Sequence, residues 1–241
     1  MDAATYTAAT GMKASYRALE IATNNLANVN SPGFKADKPF YRILQDATGK
    51  ITGSNLAGTV TDFRSGPMKM TGNPLDLAIN GEGYFTVRTP GGDRFTRNGS
   101  FSISINGDLV TQDGFPVLDR SGNNITVVRG SQAPNKLSIG RSGEIMVDEG
   151  IVGQIGVVTF ANPNLLAKEG NANFSSAETP MSVANPVIQQ GSLEQSNVNA
   201  VEMMLELIRV NRAFDFNQKT VMNIMNNLNR RAVTEIAGQT Y

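Results

Sequence analysis

Gly81-Glu82-Gly83, directly after the apolar Leu77-Ala78-Ile79, opens like a phosphate-cradling glycine loop, in which backbone N–H groups at a helix N-terminus hold a pyrophosphate. The third glycine of that fingerprint is missing, and Tyr84 to Val87 carries a strand pattern, so a tight turn between two strands accounts for the glycines better than a nucleotide does. Asp108, Asp113, Asp119, Asp148 and Glu149 offer the hard oxygen ligands that calcium takes, but their spacing does not follow an EF-hand loop and they are expected to be solvated turn residues. A carboxylate pair for glycoside hydrolysis need only meet in space, and nothing singles one out. Cysteine, histidine and tryptophan are all absent. Their absence removes thiolate nucleophiles, imidazole bases, disulfides and the softer metal ligands. The expectation is a protein without catalytic residues, cofactor or metal.

The charge balance narrows the class further. The 241 residues carry 21 Lys+Arg against 21 Asp+Glu, with no basic block, which argues against a nucleic-acid binder held by phosphate contacts. No segment approaches 18 consecutive apolar residues, so no membrane insertion is expected. The N-terminal MDAATYTAATGMKASYRALE has no basic region followed by an apolar run, and no cleavable secretory signal is expected. A cysteine-free chain suits the cytoplasm, and equally a protein that crosses into an oxidising compartment.

Three kinds of element would position these residues. From about Thr5 to Val29, Met12, Leu19 and Leu26 form one row and Ala8, Ser15, Ala22 and Val29 the row that interleaves with it, the seam of an amphipathic helix. Ser31-Pro32-Gly33 then stops it, because proline biases its predecessor away from helical geometry and glycine tolerates positive φ. From about Leu193 to Ala237 the pattern returns with larger side chains: Ala200, Leu207, Phe214, Val221 and Leu228 in one row, Met203, Val210, Asn217 and Ile224 in the other. A helix that long would extend roughly 60 Å and needs a partner along its length. Asn217, the polar member of that row, reads equally as a register-fixing residue or as one turned to solvent at the edge of the stripe.

Between the helices lie short β-rich runs: Tyr84 to Val87, Ser100 to Ile105, Leu109 to Thr111, Asn124 to Val128, Lys136 to Ile139, Ile145 to Val147 and Val152 to Phe160. Turn dipeptides such as Asn106-Gly107 and Asp113-Gly114 separate them. The expected fold is mainly β, an irregular sandwich or barrel inserted between N- and C-terminal coiled-coil-forming helices. The expected division is 1–35 for the first helix, 36–75 for an extended connector, 76–180 for the β-rich domain, 181–192 for the return connector and 193–241 for the second helix. The first helix has a narrow face, so the pair would bury little within one chain against the cost of ordering its backbone. That points to ordering on assembly.

Four of the seven residues from Asn24 to Asn30 are asparagine, a poor choice for an isolated helix because their side chains compete with the backbone for hydrogen bonds. The segment from Asn24 to Lys35 resembles the N-terminal signature of the axial proteins of the bacterial flagellum, the rod, hook and hook-associated subunits. Further blocks follow in family order. Thr71 to Phe85 resembles the opening of the β domain in rod and hook proteins, Phe95 to Phe101 with Gly107 to Thr111 its continuation, and Gln190 to Asn199 with Val201-Glu202-Met203 and Asn211 to Phe214 the C-terminal signature. The length and the connectors Asp62 to Pro67 and Thr89 to Arg94 are most similar to the proximal-rod (F-type) branch, with the distal-rod subunit as the alternative.

The resemblance implies a structural subunit that leaves the cytoplasm through the flagellar type III export apparatus and joins other rod subunits and copies of itself in the periplasmic rod of the basal body. It further implies that the terminal helices form the inner layer of a tubular stack by head-to-tail association. The expected interface comprises Met12, Leu19, Asn24, Asn25, Leu26, Asn28, Val29, Phe34, Met203, Leu207, Val210, Phe214, Asn217, Val221, Ile224 and Leu228. In it, Asn24, Asn25 and Asn28 set register through amide hydrogen bonds and Phe34 acts as a wedge at the joint. A β-sandwich enzyme acting on cell wall, an adhesin-type module and a closed coiled-coil oligomer remain as readings from other classes.

Overall fold

A computed structural model describes residues 3–45, 51–128, 137–148, 150–170 and 172–238. The chain divides into two compact units, one of residues 1–27, 37–61 and 199–241 and the other of residues 28–36 and 62–198.

The first unit holds helix α1 (Ala3–Ala27), strands β1 (Asp37–Gln45) and β2 (Ile51–Thr61), and helix α2 (Ala200–Gly238). The helices run antiparallel, with Asn25 at Met203 and Gly11 at Asn217. The row that α1 buries is Ala14, Ala18, Ala22 and Asn25, at intervals of four, four and three. Those intervals follow one helical face, and side chains this small let the two backbones approach closely. The larger Met12, Leu19 and Leu26 are half-buried flanks of that row. Asn199 caps α2 by accepting the N–H groups of Val201 (3.0 Å) and Glu202 (3.3 Å) on its side-chain oxygen. In the stretch expected as a connector, β1 and β2 pair over their whole length, from Asp37 opposite Thr61 to Gln45 opposite Ile51, with two register shifts.

The second unit is the β-rich one. In chain order its strands are β3 (Met68–Met70), β4 (Leu77–Ile79), β5 (Tyr84–Thr89), β6 (Gly92–Thr96), β7 (Phe101–Ile103), β8 (Leu109–Thr111), β9 (Leu137–Ile139), β10 (Glu144–Val147), β11 (Gly150–Gln154), β12 (Val157–Thr159), β13 (Ala167–Lys168), β14 (Asn173–Ser175), β15 (Met181–Ser182), β16 (Ile188–Gln190) and β17 (Ser192–Glu194). The largest sheet has the order β13-β14-β6-β5-β12-β15, a second has β11-β10-β9, and β3-β17, β4-β16 and β7-β8 form pairs. All pairings are antiparallel, and among the described residues no sheet closes on itself, so the barrel alternative is not the one adopted.

One core forms around Leu77, Phe85, Val87, Phe101, Ile145 and Ile155, and an aromatic one around Tyr84, Phe95, Phe160 and Phe174. Residues 124–128, expected as a strand, make single bridges with two different partners, Asn124 with Leu118 and Thr126 with Asp108, so no ladder develops although Ile125 and Val127 are buried. The run from Val152 to Phe160 is split at Gly156. There the backbone leaves β11 and joins β12, with the Gly156 N–H on the Leu118 carbonyl at 3.0 Å, and a β-carbon would meet the Asp119 backbone.

Candidate assembly surface

In the first unit the described members of the C-terminal rows face the α1 side or its flanks. Val210 is buried, while Met203, Leu207, Phe214, Asn217, Val221 and Ile224 are half-buried. Asn217 lies near Gly11 of α1, where a β-carbon would come within 3.3 Å of its amide nitrogen. The side chain of Leu228 lies outside the described residues. Asn25 is 2% exposed and engages its amide within its own unit, donating to the Asp37 carbonyl (2.7 Å) and accepting the Asp37 N–H (2.9 Å), with the Met203 sulfur at 3.9 Å. This is how a polar residue occupies an otherwise apolar row without leaving a buried group unmade. Asn24 is exposed. Tyr41, beside the groove between the helices, has its hydroxyl pKa raised by burial and then by Glu206.

The opposite side of α2 carries what the heptad rows did not include. Val201, Met204, Leu205 and Ile208, at i, i+3, i+4 and i+7, are each at least half exposed, and Phe216 and Met222 extend the exposure further along. Their spacing makes one continuous apolar stripe. The helix thus has two apolar faces, one packed on α1 and one open. The signal was in the sequence, since Leu205 and Ile208 interrupt what a single-faced helix would make polar.

In the second unit the remaining expected residues sit at the segment that follows α1. Asn28 accepts the Ser31 hydroxyl at 3.1 Å, and Val29 is half-buried. Gly33 has φ +69°, as the turn requires, and its N–H reaches the Glu194 carbonyl at 2.8 Å. Phe34 is buried in its own unit beneath the Lys168 ammonium, 3.9 Å from the ring centroid. Next to it lies an ionic cluster that local sequence reading did not anticipate. Lys35 meets Glu194 Oε1 at 2.6 Å, Arg97 meets Oε2 at 3.2 Å, and the Gly66 N–H donates to Oε1 at 3.0 Å. Lys35 also donates to the Arg64 carbonyl (2.9 Å), and Arg97 to the carbonyls of Ile79 (3.3 Å) and Gly81 (2.8 Å) while lying 5.2 Å from the Tyr84 ring. Burial lowers the Lys35 pKa from its ordinary value against the opposing pull of Glu194, and burial pushes the Tyr84 hydroxyl up to about 12. All three ionic side chains are nearly inaccessible, so the cluster is architecture rather than a reacting centre.

Among the described residues no group of three His, Cys, Asp or Glu side chains could hold a metal, and no helix is long and apolar enough to cross a membrane. The first unit pairs the terminal helices and leaves an apolar face of α2 open, the second is β-rich and pinned at its ends, and a chain of this make-up matches the flagellar rod and hook class. Three family models match in chain order: the flagella basal body rod protein model over residues 6–35, the flagellar hook protein FlgE/F/G D1 domain over 78–147, and the flagellar basal body rod FlgEFG protein C-terminal model over 189–233. The chain is 36% identical over 245 residues to the flagellar basal-body rod protein FlgF of Caulobacter vibrioides, covering 98% of each chain. It is 34% identical to FlgF of Mesorhizobium japonicum over 89% of this chain and 90% of the relative, and 34% identical to the basal-body rod protein FlgG of Bacillus subtilis over 90% and 92%. The chain belongs to the flagellar basal-body rod protein family, and its role is that of a structural subunit of the basal-body rod.

Proposed function

We propose that this chain is a proximal-rod subunit that polymerises through its terminal helices and has no catalytic activity. The observation that carries the polymer reading is the open apolar face of α2, Val201, Met204, Leu205 and Ile208, opposite the seam with α1. Each large side chain of this kind, once fully covered, contributes about 1.5 to 3 kcal/mol. Four of them on one stripe supply an interface core for a head-to-tail, non-closing association with copies of itself and other rod subunits. The half-buried Met12, Leu19, Leu26, Leu207, Phe214 and Val221 flank the helix pair and add to that contact. The proximal assignment is supported by the FlgF-named relative that aligns over 98% of both chains; a distal position is the second reading, favoured by the FlgG relatives. In this reading the chain reaches the periplasm through the flagellar type III export apparatus.

Leu205→Asp combined with Ile208→Asp tests the interface, because both residues are at least half exposed and the substitutions leave the α1–α2 seam intact. The variant should keep the far-ultraviolet circular dichroism of the parent and fail to enter basal bodies in cells lacking the native subunit. Normal incorporation would refute the polymer interface. Leu207→Asp and Phe214→Asp would report on seam and polymer together, since both are half-buried beside α1.

A further inference from the structure

Asparagine precedes glycine three times in the chain, at Asn80-Gly81, Asn98-Gly99 and Asn106-Gly107. Such a pair carries its own nucleophile and electrophile. The glycine nitrogen, with no β-carbon beside it to block the approach, loses its proton to solvent base and attacks the asparagine Cγ. A nitrogen–Cγ bond forms, the bond from Cγ to the amide nitrogen breaks, and that nitrogen takes up a proton and leaves as ammonia. Water then opens the resulting five-membered imide at one of its carbonyls. The product is aspartate or, where the main chain is left running through Cγ, isoaspartate. Ring closure needs a glycine N–H not committed to an acceptor, an amide free to swing over the main chain, and access for water.

Folding withholds these conditions from two of the three pairs. The Gly107 N–H donates to the Ser104 carbonyl at 2.9 Å, and the Gly107 carbonyl accepts the N–H groups of Val127 (2.8 Å) and Val128 (3.1 Å), so this buried glycine is held on both sides. The Asn98 side-chain oxygen accepts the Ser100 N–H at 3.0 Å, and the buried Gly99 takes the Leu77 N–H on its carbonyl at 3.0 Å. Asn80 and Gly81 are both exposed. Among the described residues neither the Asn80 side-chain amide nor the Gly81 N–H has a hydrogen-bond partner, and a β-carbon at Gly81 would meet nothing within 4 Å. The pair is fastened only at its two ends, by the Asn80 N–H on the Val187 carbonyl (2.7 Å) and by the Arg97 guanidinium on the Gly81 carbonyl (2.8 Å).

We propose that Asn80 is a self-modification site, at which the chain converts asparagine to aspartate and isoaspartate through an imide closed by Gly81. The product places a new carboxylate beside Glu82. Isoaspartate also lengthens the main chain between the two fastened points, and so works against the hold of Arg97 on Gly81.

The test is incubation of the intact chain in mildly alkaline buffer, with circular dichroism confirming the fold throughout. Peptide mapping then separates asparagine, aspartate and isoaspartate at each of the three positions. A parallel incubation in urea gives the rate of each pair without the fold, and each folded rate is read against it. Asn80 should keep most of its urea rate, while Asn98 and Asn106 slow by about tenfold or more, because their bonds must open first. Isoaspartate at residue 80 is the signature of the imide, since direct hydrolysis of the side chain yields aspartate alone. Protection of Asn80 equal to that of the other two, or aspartate at residue 80 without isoaspartate, would overturn the proposal.

Discussion

Lys35 and Glu194 stand 159 residues apart in sequence, yet their charged atoms lie 2.6 Å from each other and each side chain is 1% exposed. A single carboxylate there faces two cations, since Arg97 takes its other oxygen. Glu194→Gln would leave both cations buried without a counter-charge, and removal of one partner from a buried pair costs about 3 to 5 kcal/mol. Urea denaturation followed by tyrosine fluorescence should show the β-rich unit unfolding earlier by that amount; a loss under about 1 kcal/mol would place the pair in the class of solvated surface bridges.

Tyr84 makes the same region sensitive to alkali. Its hydroxyl is shifted from 10.0 up to about 12, chiefly by burial, with Arg97 pulling the other way. A raised acid pKa means that the folded state favours the proton. The contribution is therefore complete below pH 10 and is lost as pH rises towards 12, about 3 kcal/mol across the whole window. Lys35, lowered by burial, acts with the opposite sign towards its unfolded value of 10.5 and is common to both chains of the comparison. The stability of the parent relative to Tyr84→Phe should fall between pH 10 and pH 12, and alkaline absorbance should show a tyrosine titration near pH 12 that is missing from Tyr84→Phe. An unchanged difference would show that the hydroxyl is solvated.

The helix seam is sensitive to side-chain size. Ala18 is 6% exposed in the row that faces α2, so Ala18→Leu should force the helices apart and destabilise the pair by about 1 to 3 kcal/mol. Gly11→Ala should do the reverse. Its β-carbon would sit 3.3 Å from Asn217 Nδ2, the end of a side chain able to turn aside, while the helix gains up to about 1 kcal/mol from replacing glycine. Thermal melts at the helical wavelength decide both, and the two shifts should have opposite sign.

Gly33 is intolerant for two independent reasons. Its φ of +69° disfavours any β-carbon, and that carbon would collide with the backbone of Arg97 and Asn98. Gly33→Ala should cost at least about 2 kcal/mol, visible as a lower urea midpoint for the β-rich unit. Gly72, with φ +76° and open space around it, should lose only the smaller conformational part when changed to alanine.

Local chemistry made some of this legible and hid the rest. The stop at Ser31-Pro32-Gly33 was readable because proline and glycine act on the backbone at their own positions, and α1 ends at Ala27 just before it. Strand β8 was readable over Leu109–Thr111 because turn residues bracket it. The buried row of α1 was legible only in part, at Ala22, because Ala14 and Ala18 give little hydrophobic contrast and the larger Met12, Leu19 and Leu26 draw the heptad one step around the helix. Charged residues are ordinarily solvated, so nothing near Lys35 announced a partner as distant as Glu194. The open face of α2 is harder to read, because the rows through Met203, Leu207 and Val210 already make one complete seam without Val201, Leu205 and Ile208.

The cluster around Glu194 also determines how the β-rich unit is closed at its ends. Residues 33–36 and 194–197 are laced together by the Gly33 and Asn197 main-chain bonds, by the Ala36 N–H on the Asn197 side chain, and by the Lys35 bridge. The first and last segments of the unit are thus fastened directly to each other. Glu194 is also the last residue of β17, which pairs with β3, so the fastening is continuous with the strand pairing of the unit. The unit is thus closed on itself: separating its two ends means breaking buried ionic and main-chain bonds together, not peeling one strand at a time.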